Sequence, residues 1–250
     1  MKSKIRLGIL GGGGDSLIGI VHRIASCMHD NYSITGGVFN PDYSENLKFA
    51  KEIGLDESRV YEDYDKMIQE ELKLDKSQRM QVVSILTPNF LHYPMAKKLL
   101  ENNFNVICEK PMTTTYEEAL DLERIYKSKK LTFAVTYTYT GYPMIRQMKE
   151  MIKNGVIGNI QRVDLQYYQG WINPIIHDSV RRSETWRLQP DMSGISCCIG
   201  DIGTHAFDML EYVTGMEVQE LLSDLNYVYD DNTMDVDGTI LIRFSDKIKG

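Results

Sequence analysis

Residues 5–26, IRLGILGGGGDSLIGIVHRIAS, place four consecutive glycines between an apolar run and a segment that predicts a helix. Glycine at such a junction costs backbone entropy and adds no packing, so the chain must need bare backbone there. A dinucleotide-binding fold has this need, because a pyrophosphate approaches backbone N–H groups at the positive end of the following helix. The stretch therefore predicts a strand, a phosphate loop and a helix.

The glycine spacing departs from the standard G-x-G-x-x-G pattern. Gly11 and Gly13 suit the first two positions, but Gly19 lies six residues after Gly13 and not three. A plain glycine-rich turn, with Asp15 or Ser16 as the helix N-cap, stays open as the alternative. Under the dinucleotide interpretation, cofactor contacts are predicted for Gly11, Gly13, Gly14, Ser16 and Leu17.

Strands and helices alternate along the first half of the chain. The first predicted strand begins at residue 5, and four more are predicted at 32–39, 80–86, 105–109 and 131–137. Helices are predicted at 17–28, 44–53, 92–103 and 116–130, and one lies inside 59–72. Strict alternation predicts a parallel sheet with helices on both faces. Residues 1–137 are therefore predicted to form a doubly wound α/β Rossmann domain.

The pattern changes in residues 138–250. A helix is predicted over 142–153, a long alternating strand over 159–171, a loop-rich stretch over 172–199 and a second helix over 202–213, followed by strands in 218–231 and 235–246. Strands that follow one another this closely predict antiparallel pairing. This part is expected to be an α+β domain on a largely antiparallel open sheet.

Composition excludes several classes of protein. The 250 residues are 42% hydrophobic and 25% charged, typical of a globular protein, with a net charge of −7 that argues against nucleic acid or an anionic membrane as partner. No apolar run approaches a membrane span, and the N-terminus lacks the features of a signal peptide. The four cysteines show no C-x-x-C spacing, which predicts reduced thiols and a cytoplasmic protein.

Two further loops fall where an open α/β sheet binds ligands. Asn40 stands at the end of the second strand, where an acid usually binds the adenosine ribose, and no arginine stands close by to take a 2′-phosphate. NAD is therefore preferred over NADP. Thr87, Pro88 and Asn89 follow the third strand, although an ordinary turn with Pro88 at the first helical position explains them equally.

The segment ICEKPMTT, with Glu109-Lys110-Pro111, comes next, and GDIGTHAFD follows in the second half. Together with the glycine loop and TPN followed by His92, these motifs resemble the glucose–fructose oxidoreductase / inositol dehydrogenase (Gfo/Idh/MocA) family over residues 5–244. The long glycine loop followed by IGIVHR resembles a subgroup that acts on sugars, sugar phosphates or inositols.

The resemblance implies a two-domain NAD(P) enzyme. It adds His92, Glu109 and Lys110 to the cofactor site, and implies that Lys110, beside a cis Lys110–Pro111 bond, binds the reacting oxygen while Asp201 and His205 complete the site. It also implies a homo-oligomer, a dimer or tetramer, built on the open sheet of the second domain. Family members are considerably longer, so the chain is expected to be incomplete at its C-terminus.

Residue chemistry fits oxidation of an alcohol. Asp201, just before the predicted helix at 202–213, lies four residues from His205, so helical spacing would place both on one face, and His205 is the natural general base. With Asp208 the same residues form a metal-binding alternative, which we do not adopt. Substrate contacts are predicted for Tyr139, Trp171, Trp186 and Arg187. The alternative, that the loop lies on the surface and its arginines form ion pairs with Asp178, Glu184 and Asp191, stays open. His22 is expected to pack or cap on the first helix.

These observations predict an NAD(P)-dependent oxidoreductase that takes hydride from a secondary hydroxyl of a sugar, sugar phosphate or inositol. One alternative is a catalytically idle dinucleotide-binding or regulatory member of the family. Another is an NAD-dependent glycosidase or epimerase, which begins with the same hydride step.

Overall fold

The computed structural model describes residues 3–175, 177–227, 234–244 and 248–250 and divides into two units, Met1–Thr136 and Tyr137–Gly250. The sequence had suggested a boundary after residue 137. Among the described residues, no helix has the length and apolar character needed to cross a bilayer.

The first unit is built on a five-stranded parallel sheet in the order β2-β1-β3-β4-β5. Its strands are β1 (Ile5–Gly11), β2 (Tyr32–Val38), β3 (Val82–Leu86), β4 (Asn105–Cys108) and β5 (Phe133–Val135). The order reverses at β1, because the chain adds β2 on one side and β3 to β5 on the other. The predicted doubly wound Rossmann topology is confirmed, and it places the strands' carboxyl ends along one edge.

Five α-helices connect these strands: α1 (Leu17–Cys27), α2 (Tyr43–Glu52), α3 (Tyr64–Lys73), α4 (His92–Glu101) and α5 (Tyr116–Lys129). Polar side chains cap most of their N-termini, as Ser16 does for α1 and Thr115 for α5. The core lies on both faces of the sheet. Val83 and Ile85 of β3 belong to one apolar cluster, while Val82 and Leu86 belong to the other, so this strand is buried on both sides.

The second unit contains four α-helices, a π-helix and two antiparallel strands among its described residues. They are α6 (Pro143–Lys153), α7 (Ser179–Glu184), α8 (Pro190–Ser193), the π-helix Ile199–Gly203, α9 (Thr204–Thr214), β6 (Val218–Tyr227) and β7 (Asp235–Phe244). An apolar cluster of Leu210, Met216, Ile242 and Phe244 packs α9 against the two strands. The predicted α+β domain on an open antiparallel sheet is confirmed. The parts of the predicted strands at 228–231 and 245–246 lie outside the described residues.

The strand predicted over 159–171 is wrong. In this segment the described residues make one isolated β-bridge, between Arg162 and Lys249. The side chains of Leu165 and Tyr167 are half-buried in alternation with exposed neighbours, which explains the misleading pattern. Alternation records which face a side chain takes, whereas a strand also needs a neighbouring backbone along its length.

The start of the second helix also differs from the prediction. A π-helix, Ile199–Gly203, precedes α9 without a break, so helical structure begins before residue 202. π-helical turns inside longer helices occur frequently at functional sites. In this chain, Asp201 lies in the π-helical turn, and His205 lies in the first turn of α9.

Candidate functional site

The glycine loop brings bare backbone to the head of α1. Gly11 and Gly12 adopt left-handed φ angles of 81° and 71°, which glycine tolerates best. A Cβ added to Gly19 would overlap the carbonyl oxygen of Gly12 and lie 2.6 Å from its carbonyl carbon. Gly19 thus allows α1 to pack directly against the loop, which is the role of the third glycine in the standard pattern. Its unusual spacing reflects the longer loop.

Ser16 is the N-cap that the alternative interpretation proposed. Its hydroxyl accepts the N–H of Gly19 at 3.2 Å, and α1 begins at Leu17, whose side chain is exposed. Asp15 is exposed as well. A capped helix still leaves N–H groups of its first turn without intrahelical acceptors. The cap and a phosphate loop are therefore compatible in this stretch.

At the end of β2, Asn40 and Asp42 form a connected turn. The side-chain oxygen of Asn40 accepts the N–H of Asp42 at 2.9 Å. The carboxylate of Asp42 caps α2 by accepting the N–H groups of Ser44 at 2.8 Å and Glu45 at 3.3 Å. Hydrogen bonds from the Ser44 hydroxyl and from these backbone groups lower the pKa of Asp42. A negative charge therefore stays two residues beyond Asn40.

His92 joins the loops after β3 and β4. It is fully buried, with Nδ1 2.7 Å from the carbonyl oxygen of Pro111 and Nε2 2.9 Å from that of Thr87. Each ring nitrogen therefore faces a backbone carbonyl oxygen, and burial, which lowers the pKa of His92, favours the neutral ring that donates to one of the two. Pro111 follows a cis peptide bond, as the resemblance implied. Pro88 and Asn89 lie in the same β3–α4 connection, where Asn89–Leu91 forms a 3₁₀ turn and Asn89 is buried.

Glu109 lies in a buried hydrogen-bond chain that sequence reasoning missed. Its Oε1 is 2.8 Å from Nε2 of His22 and accepts the Thr136 hydroxyl at 2.6 Å, while the Ser84 hydroxyl is 3.1 Å from Nδ1 of His22. Burial on its own would raise the pKa of Glu109, but the hydrogen bonds from His22 and Thr136 outweigh it and lower that pKa. The N–H of Lys110 also donates to Glu109, at 3.3 Å.

The sequence did hold a signal for His22. It follows Gly19 by three residues on α1, and residues at this spacing share a helix face. Since Gly19 faces the loop and the sheet, His22 must face inward too. A polar side chain that faces inward needs a hydrogen-bond partner, and the linear sequence does not show which residue that partner is.

In the second unit, aromatic rings surround His205. The imidazole is buried, with its centroid 4.6 Å from the ring of Tyr139 and 5.7 Å from that of Tyr137. The hydroxyl groups of Tyr139 and Tyr167 are hydrogen-bonded to each other, and this bond and burial raise the pKa of Tyr139 to about 12. Tyr139 therefore keeps its proton at neutral pH beside His205.

The loop residues predicted to bind substrate gather around Asp201. Nε of Arg187 lies 3.8 Å from the Asp201 carboxylate, and the guanidinium of Arg187 lies 4.4 Å from the ring centroid of Trp186. Trp171 lines a cavity of about 100 Å³ together with Tyr167, Cys197 and Asp201. The ion pair proposed for a surface loop is present between Arg181 and Asp178, at 3.6 Å. Arg187 instead pairs with Asp201.

Asp235, which the sequence analysis did not single out, anchors the π-helical turn. This buried carboxylate accepts the N–H of Cys197 at 3.0 Å and that of Ile199 at 2.8 Å. It thus holds the start of the segment that carries Asp201. Nothing in the linear sequence pairs an acid at the start of β7 with a turn so far upstream.

All four cysteine thiols are free in the structure. Burial raises the pKa of Cys197 to about 12 and that of Cys198 to about 11, so both stay protonated and unreactive. Asp208 accepts a hydrogen bond from the Thr140 side chain, and burial raises its pKa. Within the described part of the chain, no three His, Cys, Asp or Glu side chains are grouped to hold a metal ion.

Comparison with known proteins places both units. Residues 5–137 match the family described as "Oxidoreductase family, NAD-binding Rossmann fold", and residues 145–250 match the "GFO/IDH/MocA C-terminal domain". The chain belongs to the Gfo/Idh/MocA family. The resemblance drawn from the glycine loop, Glu109-Lys110-Pro111 and GDIGTHAFD is confirmed, and the first unit is the family's NAD-binding domain.

Two Gfo/Idh/MocA relatives from Bacillus subtilis match most of this chain. The chain is 36% identical over 227 residues to the uncharacterized oxidoreductase YfiI of Bacillus subtilis, covering 90% of this chain and 57% of that protein. It is 27% identical over 209 residues to glucose-6-phosphate 3-dehydrogenase of Bacillus subtilis, covering 83% and 53%. The chain thus spans little more than half the length of these two relatives.

Solved Gfo/Idh/MocA structures give the same assignment. An inositol dehydrogenase homolog from Azotobacter vinelandii, complexed with NAD+, superposes with a TM-score of 0.92 at 29% identity, covering 99% of this chain and 64% of that chain. The match therefore includes both of the units described above.

Proposed function

We propose that this chain forms the NAD-binding domain and part of the substrate domain of an NAD-dependent dehydrogenase, which takes hydride from a secondary hydroxyl of a sugar, sugar phosphate or inositol. The observation that carries the proposal is the edge of the Rossmann sheet, where the bare glycine loop, Asn40 and the Lys110 loop all follow strand ends. Relatives named as glucose-6-phosphate 3-dehydrogenase, levoglucosan dehydrogenase and inositol dehydrogenase homolog support the substrate class.

The residues of the first unit fit an NAD molecule. The close packing of Gly19 on Gly12 holds the bare backbone of the glycine loop against the head of α1, which suits a pyrophosphate held by Gly11, Gly13, Gly14, Ser16 and Leu17. Asn40 then offers its side-chain amide to the ribose, and the nearby negative charge of Asp42 disfavours a 2′-phosphate. Thr87, Pro88 and Asn89 complete the cofactor edge. NAD, when bound, supplies the hydride acceptor.

His92 and Glu109 take a different role in this proposal from the one the resemblance implied. His92 lies between two backbone carbonyl oxygens, one within hydrogen-bond distance of each ring nitrogen, and the Glu109 carboxylate is bonded to His22 and Thr136. We therefore assign them to holding the loop around Lys110, and not to direct contact with the cofactor.

Three residues carry the proposed reaction. His205 takes the proton of the hydroxyl as general base, Lys110 hydrogen-bonds the reacting oxygen as charge develops on it, and Asp201 holds a neighbouring hydroxyl. The ring of Tyr139 packs against His205 and its protonated hydroxyl bonds to Tyr167, which supports a pocket for a polyol with both aromatic and polar groups. Trp171, Trp186 and Arg187 are proposed to line the same pocket, and the Arg187–Asp201 pair orients the acid.

Oligomeric state and location are parts of the same proposal. Leu221 and Leu222 of β6 and Leu241 of β7 are exposed, and exposed apolar groups on a sheet suit an interface between subunits. We propose a homodimer or homotetramer in the cytoplasm, where the four free thiols stay reduced.

One experiment tests the proposal as a whole. The full chain is titrated with NADH and NADPH by fluorescence, then incubated with NAD and a panel of inositols, sugars and sugar phosphates while NADH absorbance is followed. NADH binding tighter than NADPH, with absorbance growth on at least one polyol, is the expected result. Binding without turnover on any polyol favours the idle regulatory protein, and release of an aglycone without net NADH favours the glycosidase.

A further inference from the structure

A chain of buried polar contacts links α1 to the loop that carries Lys110. The Ser84 hydroxyl lies 3.1 Å from Nδ1 of His22, and Nε2 of His22 lies 2.8 Å from Oε1 of Glu109. Oε2 of Glu109 accepts the N–H of Lys110 at 3.3 Å. Ser84 is 1% exposed and Glu109 9% exposed, so water has little access to these contacts.

The chemistry of these groups determines which atom donates each hydrogen bond. The lowered pKa of Glu109 makes it a carboxylate at neutral pH, which can only accept, so Nε2 of His22 must carry the proton between them. The Ser84 hydroxyl can either donate or accept. The contact at Nδ1 is therefore satisfied whether His22 is neutral or charged, and the chain stays intact in both states.

The helix that bears His22 is attached to the unit in an unusual way. Its two buried residues are Gly19 and Ser26, while Leu17 and Ile24 are exposed. Ile18 on this face is half-buried and packs against the apolar cluster that includes Ile9 of β1, while the other inward-facing residues of α1 are small or polar. Next to His22, Arg23 donates to the carbonyl oxygen of Gly12 at 2.6 Å. Two successive side chains therefore connect α1 to the glycine loop and to Glu109.

We propose that His22 is a positioning residue that couples occupancy of the cofactor loop at the head of α1 to the placement of Lys110. This inference rests on the proposed function, because it takes α1 as the phosphate-binding helix and Lys110 as the group that binds the reacting oxygen. A shift of α1 when the cofactor binds is passed through the His22–Glu109 contact to the N–H of Lys110. A helix packed mainly through apolar side chains would not single out this loop.

The test compares three variants of the full chain. His22→Leu removes both contacts, whereas His22→Gln retains an amide N–H able to reach Glu109 in place of Nε2. Ser26→Ala is the matched control, because Ser26 lies on the same inward face but bonds only within α1, to the carbonyl oxygen of Arg23. The backbone amide signal of Lys110 is followed by two-dimensional NMR while NADH is added, and the melting temperature of each variant is recorded.

We expect NADH to shift the Lys110 amide signal in the native chain, in His22→Gln and in Ser26→Ala, and to lose at least half of that shift in His22→Leu. In turnover assays, His22→Leu should lower kcat by about ten- to a hundredfold, the size expected for an ångström-scale misplacement. The Kd for NADH should change less than threefold, and His22→Gln should recover most of kcat.

Two results would overturn the inference while leaving the proposed function standing: a full Lys110 response in His22→Leu, or a His22→Gln variant no better than His22→Leu. Absence of NADH binding to the native chain would overturn both proposals. If NADH binds but no polyol turns over, the proposed reaction fails, and the amide response still decides the role of His22.

Discussion

Replacing Gly19 by alanine tests the link between the glycine loop and the cofactor. The new methyl group would lie 2.6 Å from the carbonyl carbon of Gly12 and would overlap its oxygen. Ordinary contacts between carbon atoms begin at about 3.5 Å, so α1 must retreat from the loop by roughly 1 Å. Overpacking of this kind typically costs about 1–3 kcal/mol of stability.

The Gly19→Ala substitution should also weaken NADH binding to the protein that remains folded. A retreat of α1 lengthens the hydrogen bonds that its first N–H groups make to the pyrophosphate, each worth about 1.5–3 kcal/mol when the acceptor is charged. Since 1.4 kcal/mol corresponds to a factor of ten, the loss of one such bond raises the Kd for NADH at least about tenfold. The assay is a fluorescence titration with NADH at a temperature where both proteins remain folded.

Gly170→Ala is the matched control, because a Cβ at Gly170 meets no atom within 4 Å. Its melting temperature and Kd for NADH should equal those of the native chain. If Gly19→Ala keeps its melting temperature and binds NADH as the native chain does, the packing argument is refuted. If stability falls but the Kd does not change, the glycine loop is a structural turn and the cofactor assignment is lost.

Four further predictions follow from the same structure. Lys110→Ala should lower kcat by about a hundred- to a thousandfold with NADH affinity unchanged, and an unchanged kcat removes Lys110 from the reaction. Arg187→Ala should lower turnover of the best polyol or sugar phosphate at least about tenfold, and no change excludes it from the pocket. Glu71→Ala should cost about 3–5 kcal/mol in urea unfolding, because the buried carboxylate accepts the Arg59 guanidinium, the Tyr61 hydroxyl and the Met80 N–H, which lose their partner together; a loss below about 1 kcal/mol contradicts this. Since the folded pKa of Glu109 is lowered, its contribution to stability is complete above the unfolded value of about 4.3 and is lost as the pH falls through the folded pKa; Glu109→Gln should flatten that part of the pH–stability curve.

The Rossmann unit was readable from the sequence because its information is local. The run at 80–86 is almost entirely apolar, which marks a strand covered on both faces, and the structure buries every residue of β3. Helix starts such as Ser16 are equally local, since a cap bonds within its own first turn. The motif around Lys110 could likewise be found by its composition and order.

The second unit was harder for a physical reason. The stretch 159–171 has strand-like alternation, yet pairing depends on where a distant backbone lies. Among the residues that the structure describes, this stretch makes a single bridge, from Arg162 to Lys249. Asp235 lies 38 residues from Cys197 along the chain but accepts its N–H. No local pattern reports a contact of that separation.

The alternating α/β order, the family motifs and the glycine loop before α1 were readable from the linear chain, because each depends on residues a few positions apart. The folded structure was needed to show that His22 meets Glu109, that His92 lies between two backbone carbonyl oxygens, and that Arg187 pairs with Asp201. Those contacts join residues brought together by folding, and the energy that selects each partner is set by burial and distance, which a linear pattern does not contain.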